Sequence, residues 1–328
     1  MSPKASLQTT IADAHSVVLF HDDADGFASA LSAYFALPAH GVAFVAVNYH
    51  YPSTKELYEG DMLAGKNVFI LDFSAPGDKD TALVLLAALR EKTKTLLVID
   101  HHPVCEPLAH LPYVRYTRGV AGCILSWDFF AAYASPENES RDYRAFDAGL
   151  HPLISRIGAY DVWAHRAQGV DPQFAAECEA VNLALDSDGL LEEDQWDRWA
   201  ALIHNKHGEY NELLETGAAL VGFRDKLVRD ICRKKFVQMR ELRPGVKVPV
   251  VFSNVFPNEV ASQLLADDPT ALFVGVAYHF QQDGVPMIKC SLRSEPHRID
   301  VGKIAEALGG GGRHETASFT VKADQFPT

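Results

Sequence analysis

The sequence predicts an α/β protein of two domains: an N-terminal, doubly wound parallel sheet and a smaller C-terminal mixed α/β domain, joined by a helical linker. Three observations carry that expectation. Short, continuously apolar runs alternate with helical patterns through the first third of the chain, as βαβ units require. Acidic and imidazole side chains follow those runs, at what would be the carboxyl ends of parallel strands. After Val248 the pattern changes to strands and turns that end in four consecutive glycines.

Taken in order, Val17 to Phe20, Val42 to Val47, Val68 to Leu71 and Leu96 to Ile99 read as strands buried on both faces. A fifth follows at Tyr113 to Tyr116. Helical patterns lie between them at Gly26 to Leu37, Ser53 to Met62 and Lys79 to Lys92, with another at Ala121 to Tyr133. Pro136 to Ser140 has loop chemistry, and Asp147 to Met239 is mostly helical. Val250 to Phe252, Ala271 to Phe280 and Met287 to Leu292 read as strands, with Pro249 at the start of the first. Gln282-Asp283-Gly284 suits a hairpin turn, and a helix over Ile299 to Leu308 runs into Gly309 to Gly312. Residues 1–185 are assigned to the parallel-sheet domain, 186–245 to the connector and 246–328 to the C-terminal domain. The 328 residues suit that division.

Composition removes several function classes. With 30 Lys+Arg against 43 Asp+Glu, the net charge of -13 argues against a basic clamp for long duplex nucleic acid. Hydrophobic residues at 48% exclude a disordered chain. Cys105, Cys123, Cys178, Cys232 and Cys290 are scattered, so neither a disulfide framework nor a thiolate zinc site is expected. Met1 to Ala14 lacks a signal-peptide core, and no apolar run approaches the ~18 residues of a membrane span. A cytoplasmic protein without a membrane partner is the expectation.

The informative residues follow the strands. His21-Asp22-Asp23-Ala24-Asp25-Gly26 follows the first, Asp72 the third and Asp100-His101-His102 the fourth. One Asp after a strand is ordinary turn or capping chemistry. Three clusters at one sheet edge, two of them mixing His with Asp, are not. Carboxylates gathered this closely repel and raise each other's pKa, and a divalent metal resolves the conflict. His with Asp and no thiolate suits manganese or a similar ion better than a structural zinc. Two such ions about 3.5–4 Å apart would hold a bridging hydroxide for in-line attack at phosphorus.

These motifs resemble the DHH phosphoesterases, a family named for the triplet seen here at Asp100-His101-His102. His21 to Gly26 looks like the family's first motif, Asp72 its second, and Asp161 in Gly158-Ala159-Tyr160-Asp161-Val162-Trp163 its fourth. The stretch Ser291-Leu292-Arg293-Ser294, followed by the helix and Gly309 to His314, is similar to the DHH-associated C-terminal domain. The resemblance implies one metal on His21, Asp23 and Asp72 and another on Asp25, His101 and Asp161, with Asp72 shared. It implies that Asp100 orients an imidazole and that His102 faces the phosphate. It implies a substrate site at Arg293, Ser294, Gly310, Gly311, Gly312, Arg313 and His314; the family loop commonly reads Gly-Gly-Gly-His, whereas Arg313 precedes His314 here.

The length and the His at the head of the first motif resemble the nanoRNase and cyclic-nucleotide phosphodiesterase branch. The expected activity is hydrolysis of short oligoribonucleotides or linear dinucleotides to mononucleotides, with two Mn2+ ions, Mg2+ and Co2+ being the alternatives. An exopolyphosphatase or nucleotide bisphosphate phosphatase of the same fold is the rival, and a non-catalytic nucleotide-binding protein the third reading. Whether the chain forms a homodimer stays open. Arg118 is a further candidate phosphate contact, the basic stretch Arg224 to Arg240 reads as a solvated helix face, and His204 and His207 as surface residues without a carboxylate partner.

Overall fold

The computed structural model describes residues 11–49, 51–192, 195–282 and 284–327. The chain folds as two compact units that divide between Leu220 and Val221.

In the first unit, β1 (Ser16–His21), β2 (Val42–Val47), β3 (Asn67–Leu71), β4 (Thr95–Asp100) and β5 (Val114–Tyr116) form one sheet in the order β2-β1-β3-β4-β5. Every pairing is parallel. The helices between and after them are α1 (Ala24–Ala36), α2 (Pro52–Glu59), α3 (Lys79–Lys92), α4 (Gly122–Tyr133), α5 (Pro152–Asp161), α6 (Pro172–Ser187) and α7 (Trp196–His204). The continuous apolar runs are explained by burial on both faces. Val18, Phe20, Leu71 and Ile99 pack with α1 and α4, while Val17, Leu19, Ile70 and Val98 pack with α2 and α3. The strand order reverses at β1, whose neighbours are β2 and β3. In doubly wound sheets that reversal opens a crevice beyond the strand ends where ligands bind.

The unit division falls inside α8 (Glu209–Ile231). Beyond it, β6 (Gln238–Arg243), β7 (Val246–Phe252), β8 (Val274–Gln282), β9 (Val285–Arg293), β10 (Gly311–Gly312) and β11 (Thr316–Lys322) form a mixed sheet in the order β10-β11-β9-β8-β7-β6. The helices α9 (Pro257–Asp267) and α10 (Val301–Ala307) pack on opposite faces.

Several elements differ from the sequence reading, each for a visible reason. β6 lies inside the interval read as helical connector; as an edge strand it buries little, so it shows no apolar run. β7 starts at Val246 because it pairs with β6, and Pro249 sits inside the strand, one residue before pairing with β8 begins at Val250. Helix α9 went unread although Pro257 marks its first turn. The hairpin turn was read over Gln282 to Gly284; Asp283 is outside the described residues, and Gln282 pairs with Val285 across the turn. Arg224 is buried rather than solvated and is bonded to Asp225. His204 does have a carboxylate partner, Asp142, at 3.0 Å.

Candidate metal centre

The carboxyl ends of β1, β3 and β4 converge. Asp23 caps α1, its Oδ1 accepting from the Gly26 N–H at 2.9 Å. That tight turn requires glycine, since a Cβ on Gly26 would lie 2.0 Å from the His21 carbonyl oxygen. Capping leaves Oδ2 of Asp23 2.7 Å from Nδ1 of His21.

Asp25, in the first turn of α1, turns inward and is 2% exposed. Its two oxygens accept from Gly122 N at 2.8 Å and Cys123 N at 2.9 Å, the first amides of α4. The positive end of that helix dipole therefore faces a buried carboxylate. Gly122 is close-packed on the other side, where a Cβ would lie 2.6 Å from Cβ and Oδ1 of Asp72.

Asp72 is fully buried and has φ of 54°. A non-glycine residue in the left-handed region is costly, and such positions gather at functional sites. Its N–H is fixed by Ile99 O at 2.8 Å, and its side chain lies at the middle of the cluster. Oδ2 is 3.7 Å from His21 Nδ1 and Oδ1 is 3.2 Å from His101 Nε2. His101 Nε2 also lies 3.6 Å from Asp25 and 3.4 Å from Asp161, which α5 delivers at its last residue.

Asp100 serves a different purpose. One oxygen accepts from the amides of His101 at 2.7 Å and His102 at 3.1 Å, and from Nδ1 of His102 at 2.8 Å. The imidazole it holds is thus that of His102, whose other ring nitrogen is left for a ligand. Tyr49, outside every motif, walls this corner, its ring edge-on to His21 and His102 and against Phe73.

Charge balance shows what the cluster lacks. Burial pushes Asp72 up to about 7 even with the His21 imidazole 3.7 Å away. Burial and the Asp25 charge likewise raise Asp161 to about 7, and Asp25 itself is raised by burial and by Asp72. Burial opposes charging of His21, yet Asp23 and Asp72 hold its pKa up at about 10. His102, held by Asp100 and facing Asp72, is raised to about 9 against the same burial penalty. The centre captures protons because it is short of positive charge.

The donor atoms fit divalent ions. Among the described residues, both oxygens of Asp72, Nδ1 of His21 and Nε2 of His101 are buried with no hydrogen-bond partner, an expensive arrangement unless a cation satisfies them. Three groups, His21 with Asp23 and Asp72, Asp25 with His101 and Asp161, and Asp72 with His101 and His102, each offer donor atoms within 4.8 Å of one another. The first two bring together the residues the resemblance assigned to each ion, and the third adds His102 beside Asp72 and His101. Asp72 Oδ1 also lies 3.2 Å from His101 Nε2, so the middle carboxylate touches both.

In the second unit, a cavity of about 300 Å3 is lined by Arg293, Ser291, Gly311, Gly312, Thr316 and Ser318, with Pro257 and Asn258 at the start of α9. Of the residues the resemblance placed at a substrate site, Arg293, Gly311 and Gly312 line this cavity and the others lie outside it. Ser294 is buried and its hydroxyl donates to the carbonyls of Leu272 and Glu295, so it is a structural anchor and no part of the lining. Gly310 packs on Ser318 and Phe319, while Arg313 and His314 are exposed outside the lining. Ser291 and Ser318 also line it, brought opposite each other by the register of β9 and β11. Arg118 is exposed, 3.9 Å from Glu106.

No family model matches the chain, and no curated protein matches it. Solved structures do. The DHH domain of a protein described as a member of a ribosomal protein family aligns at TM-score 0.56 and 14% identity, over 96% of this chain and 85% of that one. RecJ from Thermus thermophilus in complex with Mn2+ aligns at 0.54 and 16%, over 98% of this chain and 52% of RecJ. A manganese-bound exonuclease RecJ aligns at 0.50 and 18%, over 97% and 90%. The protein is an α/β protein with the two-domain fold of DHH proteins.

Proposed function

We propose that this protein is a metal-dependent phosphodiesterase that hydrolyses very short oligoribonucleotides or linear dinucleotides to mononucleotides. The observation that carries the reading is the cluster of donor groups around Asp72, whose buried oxygens have no hydrogen-bond partner among the described residues. His21, Asp23 and Asp72 would hold one ion, and Asp25, His101 and Asp161 the other. Manganese is the favoured ion, given the oxygen and imidazole donors and the manganese in RecJ structures of the same fold. A bound pair supplies a water activated at neutral pH and positive charge for the phosphoryl oxygens.

The chain's own residues do the rest. Asp100 fixes Nδ1–H of His102, so the other nitrogen can donate to a phosphoryl oxygen or to the departing alkoxide. Gly122 and Cys123 amides keep Asp25 in place. In the second unit, Arg293 lines a cavity beside Gly311 and offers a charged donor to a phosphate-bearing ligand. The net charge of -13 then matters little, because a short substrate needs no basic clamp. The deciding assay incubates the Mn2+-supplied protein with a 5′-labelled RNA dinucleotide, adenosine 3′,5′-bisphosphate and polyphosphate. Release of mononucleotide from the dinucleotide is expected; turnover of another substrate with the dinucleotide left intact overturns the reading.

A further inference from the structure

Helix α5 delivers Asp161 to the metal centre and stops there. Val162 N bonds back to Gly158 O at 3.3 Å and Trp163 N to Tyr160 O at 3.1 Å, so Trp163 takes the position just past the helix end. Its backbone is left-handed, with φ of 61° and ψ of 14°. Glycine normally holds that position because a side chain there is penalised, and a bulky aromatic is the least suited occupant. The turn would therefore form better without the indole.

The indole is nevertheless prominent. Trp163 is 43% exposed, while Trp127 and Trp199 are buried in the core. It packs against Arg166 and His165. The Arg166 guanidinium lies 4.6 Å from the ring centroid, and the His165 ring is 6.2 Å away at 27°. His165 is itself stacked on Tyr160 at 4.9 Å and anchored by its Nδ1 to Ala159 O at 3.1 Å. Arg166 is tied to Glu179 at 3.4 Å. An exposed aromatic braced in a costly backbone state points to a contact made outside the folded chain.

Its place defines the contact. Trp163 follows Asp161 by two residues, so their Cα atoms are at most about 7.6 Å apart. A flat, rigid, electron-rich side chain on a residue two positions from a ligand of a candidate phosphate-binding centre suits a nucleobase, which has a π-face whatever its identity.

We propose that Trp163 is a base-stacking platform that makes the site selective for nucleotides over base-free phosphates. The inference rests on the phosphoesterase reading of the neighbouring centre, and names the part of the substrate that centre does not touch. It sorts substrates by the presence of a base, whichever base it is.

The test compares two ligands that differ only in the base. Adenosine 5′-monophosphate and ribose 5-phosphate are titrated calorimetrically into the full-length protein with Mn2+ present, for the unaltered chain, Trp163→Gly and Trp163→Phe. Trp163→Gly is the informative variant, because it relieves the backbone and is expected to keep or raise Tm. It should weaken the nucleotide roughly 5- to 150-fold, the fold-change equivalent of the about 1–3 kcal/mol of a base–aromatic stack, and leave ribose 5-phosphate unchanged. Trp163→Phe should retain most of the difference. Equal affinity of the two ligands for the unaltered protein, equal losses in the glycine variant, or a fall in Tm with loss of both would overturn it. Dinucleotide hydrolysis is scored separately. Base-dependent binding without hydrolysis sinks the function and spares the platform; hydrolysis that Trp163→Gly leaves unchanged does the reverse.

Discussion

The two polar centres of this molecule are made of opposite materials. In the first unit the cluster is rich in carboxylates, and the oxygens of Asp72, Nδ1 of His21 and Nε2 of His101 have no hydrogen-bond partner among the described residues. In the second, the cavity beside Gly311 and Gly312 is half-open, and its main-chain neighbours are already bonded: Gly310 N to Ala305 O at 2.8 Å, Arg313 N to Thr316 O at 2.7 Å. One centre leaves buried donor atoms that a cation could satisfy; the other has its backbone groups already paired. Stability and ligand binding should therefore be opposed in the first and independent in the second.

The sharpest way to break that contrast is Asp72→Asn. Losing the shared carboxylate should lower turnover by about three orders of magnitude, since the ions are asked for several kcal/mol and each 1.36 kcal/mol is a decade. The same change removes a buried carboxylate whose ionisation is opposed by burial, so the metal-free variant should melt higher than the metal-free parent. Calorimetry with chelator reads the second effect and the dinucleotide assay the first. A lower Tm in chelator would show that Asp72 is satisfied without a cation.

Acidity probes the same opposition next. Asp72 and Asp161 ionise near 7 in the folded chain against an ordinary 3.8, so ionising them costs stability progressively as pH rises between those values. His21 and His102, held at about 10 and about 9, contribute stability that is complete below 6.5 and lost as pH climbs through 9 to 10. All four work in one direction: in chelator, Tm should fall steadily from about pH 4 to pH 10 through this centre. Saturating Mn2+ should reverse the trend up to neutrality, because the ions need the deprotonated ligands. Superimposable profiles with and without metal would contradict the assignment.

What could be read from the sequence follows the same line. The carboxylates and imidazoles of the first unit were legible because each ends an apolar run, and a parallel sheet gathers strand ends whatever the loops do. Asp161 was legible only through its motif, since it arrives at the end of a helix and no strand periodicity points to it. The supports were not: that Gly122 and Cys123 amides hold Asp25 depends on a contact 97 and 98 residues away in sequence. In the second unit, Ser291 and Ser318 lie opposite each other only once the register of β9 and β11 is known. Exposed edges such as β6 leave no apolar signal at all.

Gly122→Ala sharpens the comparison at intermediate size. Its Cβ would press on Asp72 at 2.6 Å, shifting the shared carboxylate without removing any donor. Changes that disturb the support of metal ligands typically cost 10–100-fold in metal affinity, so a loss of roughly that size is expected in a Mn2+ titration. Unchanged affinity would mean the centre tolerates displacement and that its close packing is incidental.

The smallest effects should come from the second unit and should leave Tm alone. Gly311 has open space where a Cβ would stand, so Gly311→Ala is expected to fold normally and raise KM by a few-fold, by keeping phosphate off the backbone. Its neighbour gives the control. At Gly312 the backbone has φ of 152° and a Cβ would lie 2.3 Å from Ala317 Cα, so Gly312→Ala should lower Tm before any effect on substrate can be read. Arg293→Ala, at the end of β9, should raise KM about tenfold, the equivalent of one hydrogen bond to a charged group, with kcat little changed. If Gly311→Ala or Arg293→Ala instead lowered kcat with KM constant, the cavity would be acting on the chemical step. The separation between a centre that binds cations and a surface that binds substrate would then fail.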